Sequence, residues 1–344
     1  MIKRFFTAHP YLFSILLLIL MLLIGIAVGS VFIPLSNIFQ ILKSQLFHLE
    51  LPESMRAVSA ILIKIRIPRI ILVALTGAAL SGSGAAYQGL FRNPLADPYL
   101  IGVASGAGLG AVIAMSFKWP YQLGNMMIIP LAAFLGAILT VLLVIQMAKI
   151  RQTIPATNLI LAGVAVSSLF TAITSLMMLV STQELHRALS WLLGGGSMSG
   201  WQPVFSILPY WLIGCTLLLS MGHPLNVLQF GEEQAQQLGI PVKKIQMIVI
   251  IAASLTSAAA VAFSGIIGFI GLIVPHAVRL LWTGNYKHLI PLSMINGAAF
   301  LLFSDMLART LLSPRELPVG IITAVFGAPF FLWILKQSKE KVEW

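Results

Sequence analysis

Apolar residues run in long blocks along this chain, and polar residues are confined to the gaps between them. A helix needs about 20 residues to cross a bilayer. Blocks of that order fall at 11–32, 70–90, 99–117, 126–148 and 156–180, and again at 203–221, 245–265, 266–282, 289–307 and 319–335. The pattern predicts an all-α, polytopic membrane protein, with one transmembrane domain over residues 1–344 and about ten membrane-spanning helices. The border between the seventh and eighth blocks is the weakest, because 264–271 offers glycine and no charge as a turn signal. One gap stands apart. Residues 231–241 are densely polar, and 232–238 suits a short helix with an acidic first turn. Ala235 and Leu238 would share a face at i, i+3, with Gly239 as the stop and Pro241 preventing continuation. Its plainest reading is a solvated connector.

Composition agrees with the blocks. With 58% hydrophobic and 9% charged residues, a water-soluble domain of this size is excluded. The net charge of +11 would suggest nucleic acid in a soluble protein, but the basic residues stand at block ends, where membrane topology accounts for them. No nucleic-acid partner is expected, and membrane lipid is. The first block follows Lys3 and Arg4 as a signal peptide would, but it is too long and lacks a small-residue cleavage site before Pro34, so it reads as a span. The single cysteine, Cys215, lies in an apolar block, which rules out an internal disulfide.

Lys and Arg in the gaps set the orientation. They divide twelve to nine in favour of the side of the N-terminus, and five of the nine (Lys43, Arg56, Lys64, Arg66 and Arg69) crowd into the connection before Ile70. With that connection set aside, the bias puts both termini and 231–241 in the cytoplasm. The basic cluster 64–69 then lies at the outer surface. Snorkelling to lipid phosphate is its default reading, and a docking patch for an acidic partner is the alternative.

Two glycine- and alanine-rich stretches, 77–86 and 102–110, suit close helix packing. The second has the wrong spacing and context for a dinucleotide fingerprint, and the chain has no G-x-x-x-x-G-K-[ST], so it carries no P-loop ATPase. Polar and proline interruptions occur at Asn93, Pro94, Asp97 and Pro98, at Pro275 and at Gly327 and Pro329. Broken helices must face protein or a water-filled path, and interruptions in both halves suggest the duplication common in transporters. Asp97 is expected to cap the helix that follows. Asp305 and Arg309, four apart, are expected to form an internal ion pair. His223 and His276 read as packing residues. No metal-binding spacing and no catalytic set is present, so neither a metal site nor an enzyme is expected.

Several motifs together resemble the permease subunits of the ABC importers for iron-siderophores, haem and cobalamin, a FecCD-like, type II family. They are Arg66-Ile-Pro-Arg69; Gln88 with Asn93-Pro-Leu-Ala-Asp-Pro98 and Gly102; Gly268-Phe-Ile-Gly-Leu-Ile-Val-Pro-His276 with Arg279; and Glu316-Leu-Pro-Val-Gly320 with Gly327-Ala-Pro329. The resemblance implies ten spans and alternating access driven by ATP, with ATP and Mg used by two separate ATPase subunits and no cofactor on this chain. It implies a second permease subunit, as a homodimer, and an extracytoplasmic substrate-binding protein. It makes 231–241 a coupling helix that seats in the ATPase through Glu233, Ala235, Leu238 and Gly239; Gln234 departs from the wider importer pattern Glu-Ala-Ala-x-x-x-Gly. It assigns Arg66, Arg69 and Arg309 to acidic residues of the binding protein, displacing the snorkelling reading, with Asp305 as competitor or positioner for Arg309. It puts 185–193 near the outer gate, with Trp191 and Gly194–Gly196 as a candidate hinge and a simple surface turn as the equal alternative. The expected location is a prokaryotic cytoplasmic membrane. A secondary transporter is the rival, and it would need acids deep within the spans.

Overall fold

The computed structural model describes residues 9–29, 33–117, 119, 122–123, 126–150, 154–180, 184–195 and 199–340. Lys3, Arg4 and Gly196 of the reading above lie outside them.

Each of the ten apolar blocks carries one helix. Pro10–Ala27 (α1) is followed by two short helices, Leu35–Phe47 (α2) and Glu53–Ile61 (α3). A π-turn, Leu62–Arg66, leads into Ile67–Leu90 (α4). Next come Val103–Ser116 (α5), Ile128–Ala148 (α6), Ala156–Val180 (α7) and the short Leu185–Leu192 (α8). The second half holds Trp201–Ser220 (α9), Gly222–Leu228 (α10), Glu232–Gln237 (α11), Val242–Ser264 (α12), Ile270–Leu281 (α13), Tyr286–Thr310 (α14) and Val319–Glu340 (α15). Gln122–Leu123 pairs antiparallel with Met126–Met127, and Ile150 forms a single bridge. Among the described residues six helices, α1, α6, α7, α9, α12 and α14, are both long and apolar enough to cross a membrane, while α5, α13 and Val319–Ile334 are shorter apolar helices.

Three expected boundaries are corrected. The first block, 11–32, ends as helix at Ala27. The block 99–117 opens with a 3-10 turn, Pro98–Ile101, and becomes α-helix only at Val103. The block 266–282 is helical from Ile270, because residues 265–269 form a non-helical break after α12. Pro275 and Pro329 are also corrected: both sit inside continuous helices. A proline removes the amide that would serve the carbonyl four residues earlier, here Gly271. Gln88 repairs that loss, its Nε2 donating to the carbonyls of Gly271 (3.3 Å) and Leu272 (3.2 Å).

α4 is the axis of the molecule. Every side chain from Thr76 to Gly89 is buried, as expected of a helix surrounded by others. The small residues of 77–86 permit this. A Cβ on Gly77 would strike the backbone of Gly297 in α14, and one on Gly84 the backbone of Gly271 in α13. Between apolar helices in lipid no water-driven force favours contact, so close backbone packing and hydrogen bonds must supply it. Thr76 Oγ1 meets Ser264 Oγ at 2.7 Å, and Tyr87 OH meets Ser254 Oγ at 2.8 Å, which joins α4 to α12.

Candidate functional site

The candidate residues separate into two poles and a junction between them. One pole surrounds the start of α4 and the end of α14. The last turn of α1 has carbonyls without helical donors, and two arginines answer them. Arg66 Nη1 donates to the carbonyls of Ile26 (2.8 Å) and Ala27 (3.1 Å), and Arg309 Nη2 reaches that of Gly25 at 3.5 Å. Both side chains are buried. Asp305, 0% exposed, lies between the helices. Its Oδ1 accepts from Arg69 Nε (3.2 Å) and Nη2 (2.9 Å), and its Oδ2 lies 2.9 Å from Arg309 Nε, an ion-pair contact without hydrogen-bond alignment. Arg69 Nη1 in turn donates to Glu316 Oε2 at 2.7 Å. The expected Asp305–Arg309 pair therefore forms.

Of the three arginines expected to meet an acidic partner, Arg66 and Arg309 are buried in this conformation. Their guanidinium groups face into the chain, where both hold the end of α1 and Arg309 also pairs with Asp305. Arg69 is the member of the three that reaches an exposed group. Sequence reasoning missed Glu316 as its partner: the two stand 247 positions apart, and no spacing rule links them.

The opposite pole holds 231–241. Gln229 Nε2 donates to the Gly89 carbonyl at 2.9 Å, and Asn226 Nδ2 to Asn285 Oδ1 at 2.7 Å, anchoring α10 to the ends of α4 and α14. α11 spans six residues and closes as expected at Gly239, whose φ is +80°. The amide of Ile240 donates to the Ala235 carbonyl and that of Gly239 to the Gln236 carbonyl, the paired pattern of a Schellman stop. The shared face expected for Ala235 and Leu238 is corrected. Ala235 is buried against its own chain, and Leu238, in the turn after the helix, is 67% exposed. Glu233 is exposed, and Glu232 Oε1 accepts from Gln246 Nε2 at 3.0 Å. A cleft of about 320 Å³ beside them is lined by Arg92, Phe230, Gly231, Glu232, Glu233 and Gln234.

Between the poles, the turn at Pro98 and the residue Gly327 both pack against the segment around 265–271. Asp97 Oδ1 accepts from the Tyr99 amide at 2.8 Å, capping the turn at Pro98 as expected. Burial raises the Asp97 carboxyl to about 6. Tyr99 OH then donates to the Ile267 carbonyl (2.9 Å) and accepts from the Ile267 amide (3.3 Å), pinning the break between α12 and α13. A Cβ on Gly271 would lie 2.6 Å from Pro98 Cδ, and one on Gly327 would collide with the Phe269 ring. Phe269 has φ +70°, a left-handed conformation that costs a non-glycine residue of order 1 kcal/mol or more. The turn after α8 closes the junction, with the Gly320 amide donating to the Leu193 carbonyl at 3.1 Å and Trp191 buried beside Gly265. A cleft of about 490 Å³ opens here, lined in part by Leu192, Ile266, Phe269 and Val325. Among the described residues no group of three or more His, Cys, Asp or Glu gathers as metal ligands.

Comparison with known proteins gives concordant matches. The family model described as the FecCD transport family matches residues 17–337. The chain is 44% identical over 275 residues to the cobalamin import system permease protein BtuC of Halobacterium salinarum, covering 80% of this chain and 73% of that one. It is 37% identical over 284 residues to the hemin transport system permease protein HmuU of Yersinia pestis, covering 81% and 84%. A solved metal-chelate type ABC transporter in an inward-facing conformation superposes with a TM-score of 0.79 at 30% identity, covering 96% of this chain and 99% of that one.

Proposed function

The chain belongs to the FecCD transport family, and from that premise we propose that it is the permease subunit of a binding-protein-dependent ABC importer. The cargo is an iron chelate, siderophore or haem, or a related metallo-macrocycle such as cobalamin. The chain works with a second permease subunit, as a homodimer, with two ATPase subunits that use ATP and Mg, and with an extracytoplasmic substrate-binding protein. Catalysis is left to the ATPase, in keeping with the absence of a P-loop in the sequence.

In this reading the arginine pole faces outward and receives the binding protein, and the α11 pole faces the cytoplasm and receives the ATPase. Leu238 and Glu233 are the contacts of the coupling helix, and Ala235 and Gly239 shape it from within. ATP and the binding protein drive alternating access only through different affinities for the two states, so both poles must be joined to whatever moves. The observation that carries the reading is the junction itself: Pro98 with Tyr99, and separately Gly327, pack against the 265–275 segment between the poles. Asn93, Pro94, Asp97, Pro98, Pro275, Gly327 and Pro329 act there as gating and positioning residues.

Reconstitution in liposomes tests this. With its ATPase subunits and binding protein, the transporter is expected to take up one of a ferric siderophore, haem or cobalamin, and only with ATP. Uptake that continues without the ATPase and follows an imposed ion gradient would replace this reading with a secondary transporter.

A further inference from the structure

The arginine pole holds two acids in very different settings. Asp305 is sealed, and it serves the Nε and Nη2 edge of Arg69 together with Arg309. Glu316 is 45% exposed and serves the Nη1 end alone. It belongs to the connection between α14 and α15, tied nearby by the Leu317 amide to the Ala308 carbonyl at 3.0 Å. A buried ion pair resists separation because each charge would be stranded away from water, whereas an exposed pair parts at little cost. Lys64 and Arg315 are exposed on the same end of the molecule.

We infer that Arg69 Nη1 is an exchangeable carboxylate site, that Glu316 is its resident occupant, and that an aspartate or glutamate side chain of the docking protein binds by displacing Glu316. The inference rests on the docking reading of this pole and narrows it from three arginines to one atom. Arg66 and Arg309 keep their present contacts during the exchange, so they set the position of Arg69 and of the α1 end without touching the partner. Glu316 then has two effects. Left alone, the pole hides its strongest anion-binding group. On docking, the incoming carboxylate must compete with a tethered one, which weakens the complex. Release of Glu316 also frees the connection that leads into α15, whose first turn contacts the α8 turn through Gly320 and Leu193.

The test uses the assembled transporter in lipid nanodiscs, and two readouts. The first is the rate at which phenylglyoxal modifies Arg69, followed by mass spectrometry. The second is the Kd of the binding protein that stimulates the transporter's ATP hydrolysis. Glu316→Gln is expected to speed modification of Arg69 several-fold and, from the worth of an exposed pair, to tighten docking about two- to five-fold. In the unaltered protein, bound partner is expected to protect Arg69. If Arg69→Glu weakens docking while Glu316→Gln leaves both readouts unchanged, the exchange is overturned and the docking surface stands. If Arg69→Glu leaves Kd unchanged, the docking reading fails and takes the exchange with it. Glu316→Ala repeats the removal of the carboxylate with a smaller side chain, so a result peculiar to glutamine is recognised.

Discussion

The two poles of the molecule treat charge in opposite ways. At the arginine pole five ionisable groups are satisfied by one another and by the α1 carbonyls, and four of them are largely withdrawn from the surface. At the α11 pole the acids stand at the surface, and the large apolar Leu238 stands with them. A closed pole must rearrange to bind, so its contacts can be conditional on a particular partner. An open pole needs no rearrangement, which suits a lasting partner. The same chain thus carries one interface built for exchange and one built for permanence.

The contrast can be broken most directly at Asp305. Asp305→Ala strands Arg69 and Arg309 and should cost about 3–5 kcal/mol, seen as a large drop in the thermal unfolding midpoint in detergent. Glu233→Ala at the other pole should change stability by less than about 0.5 kcal/mol; equal losses at both poles would erase the distinction. The junction lies between these extremes. Gln88→Leu leaves the Gly271 carbonyl without a donor and should cost about 1–3 kcal/mol by the same measurement. Asp97 adds a pH dependence. Because its carboxyl is raised to about 6 in the fold, the protonated form is favoured there. Stability is highest below the unfolded value near 4 and declines as the pH rises through about 6. The decline should amount to about 1–2 kcal/mol and vanish in Asp97→Asn, whose amide oxygen still caps Tyr99. The smallest effect on stability is expected at Leu238. Leu238→Asp should shift it by less than about 0.5 kcal/mol while ATP hydrolysis continues without transport; full transport in that variant would remove Leu238 from the coupling contact.

Much of this architecture is legible in the amino-acid order, for definite reasons. Spans such as α6 and α7 announce themselves because lipid imposes length and apolarity on them, and the stop at Gly239 because a left-handed residue is needed there. Asp305–Arg309 is legible because one helical turn joins them. The starts of α5 and α13 are not legible. Their preceding residues are as apolar as the helices, and what pins 265–269 is contact with Tyr99, far away in the chain. Burial misled at Ala235 and Arg66 for a similar reason: local pattern gives the face of a helix, and only the assembled neighbours decide what covers it. Glu316 belongs to the same class, a residue whose partner is chosen by the approach of α4 and α14.

Phe269 against Gly327 carries a consequence for how this chain can change over generations. The ring occupies the space that any side chain at 327 would need, so the two positions form one steric unit although 57 residues and two whole helices separate them. Gly327→Ala should be rejected by itself and accepted beside a smaller residue at 269. The pair is therefore expected to be inherited together, and a library selected for uptake should recover alanine at 327 only in cells that have also lost the phenylalanine.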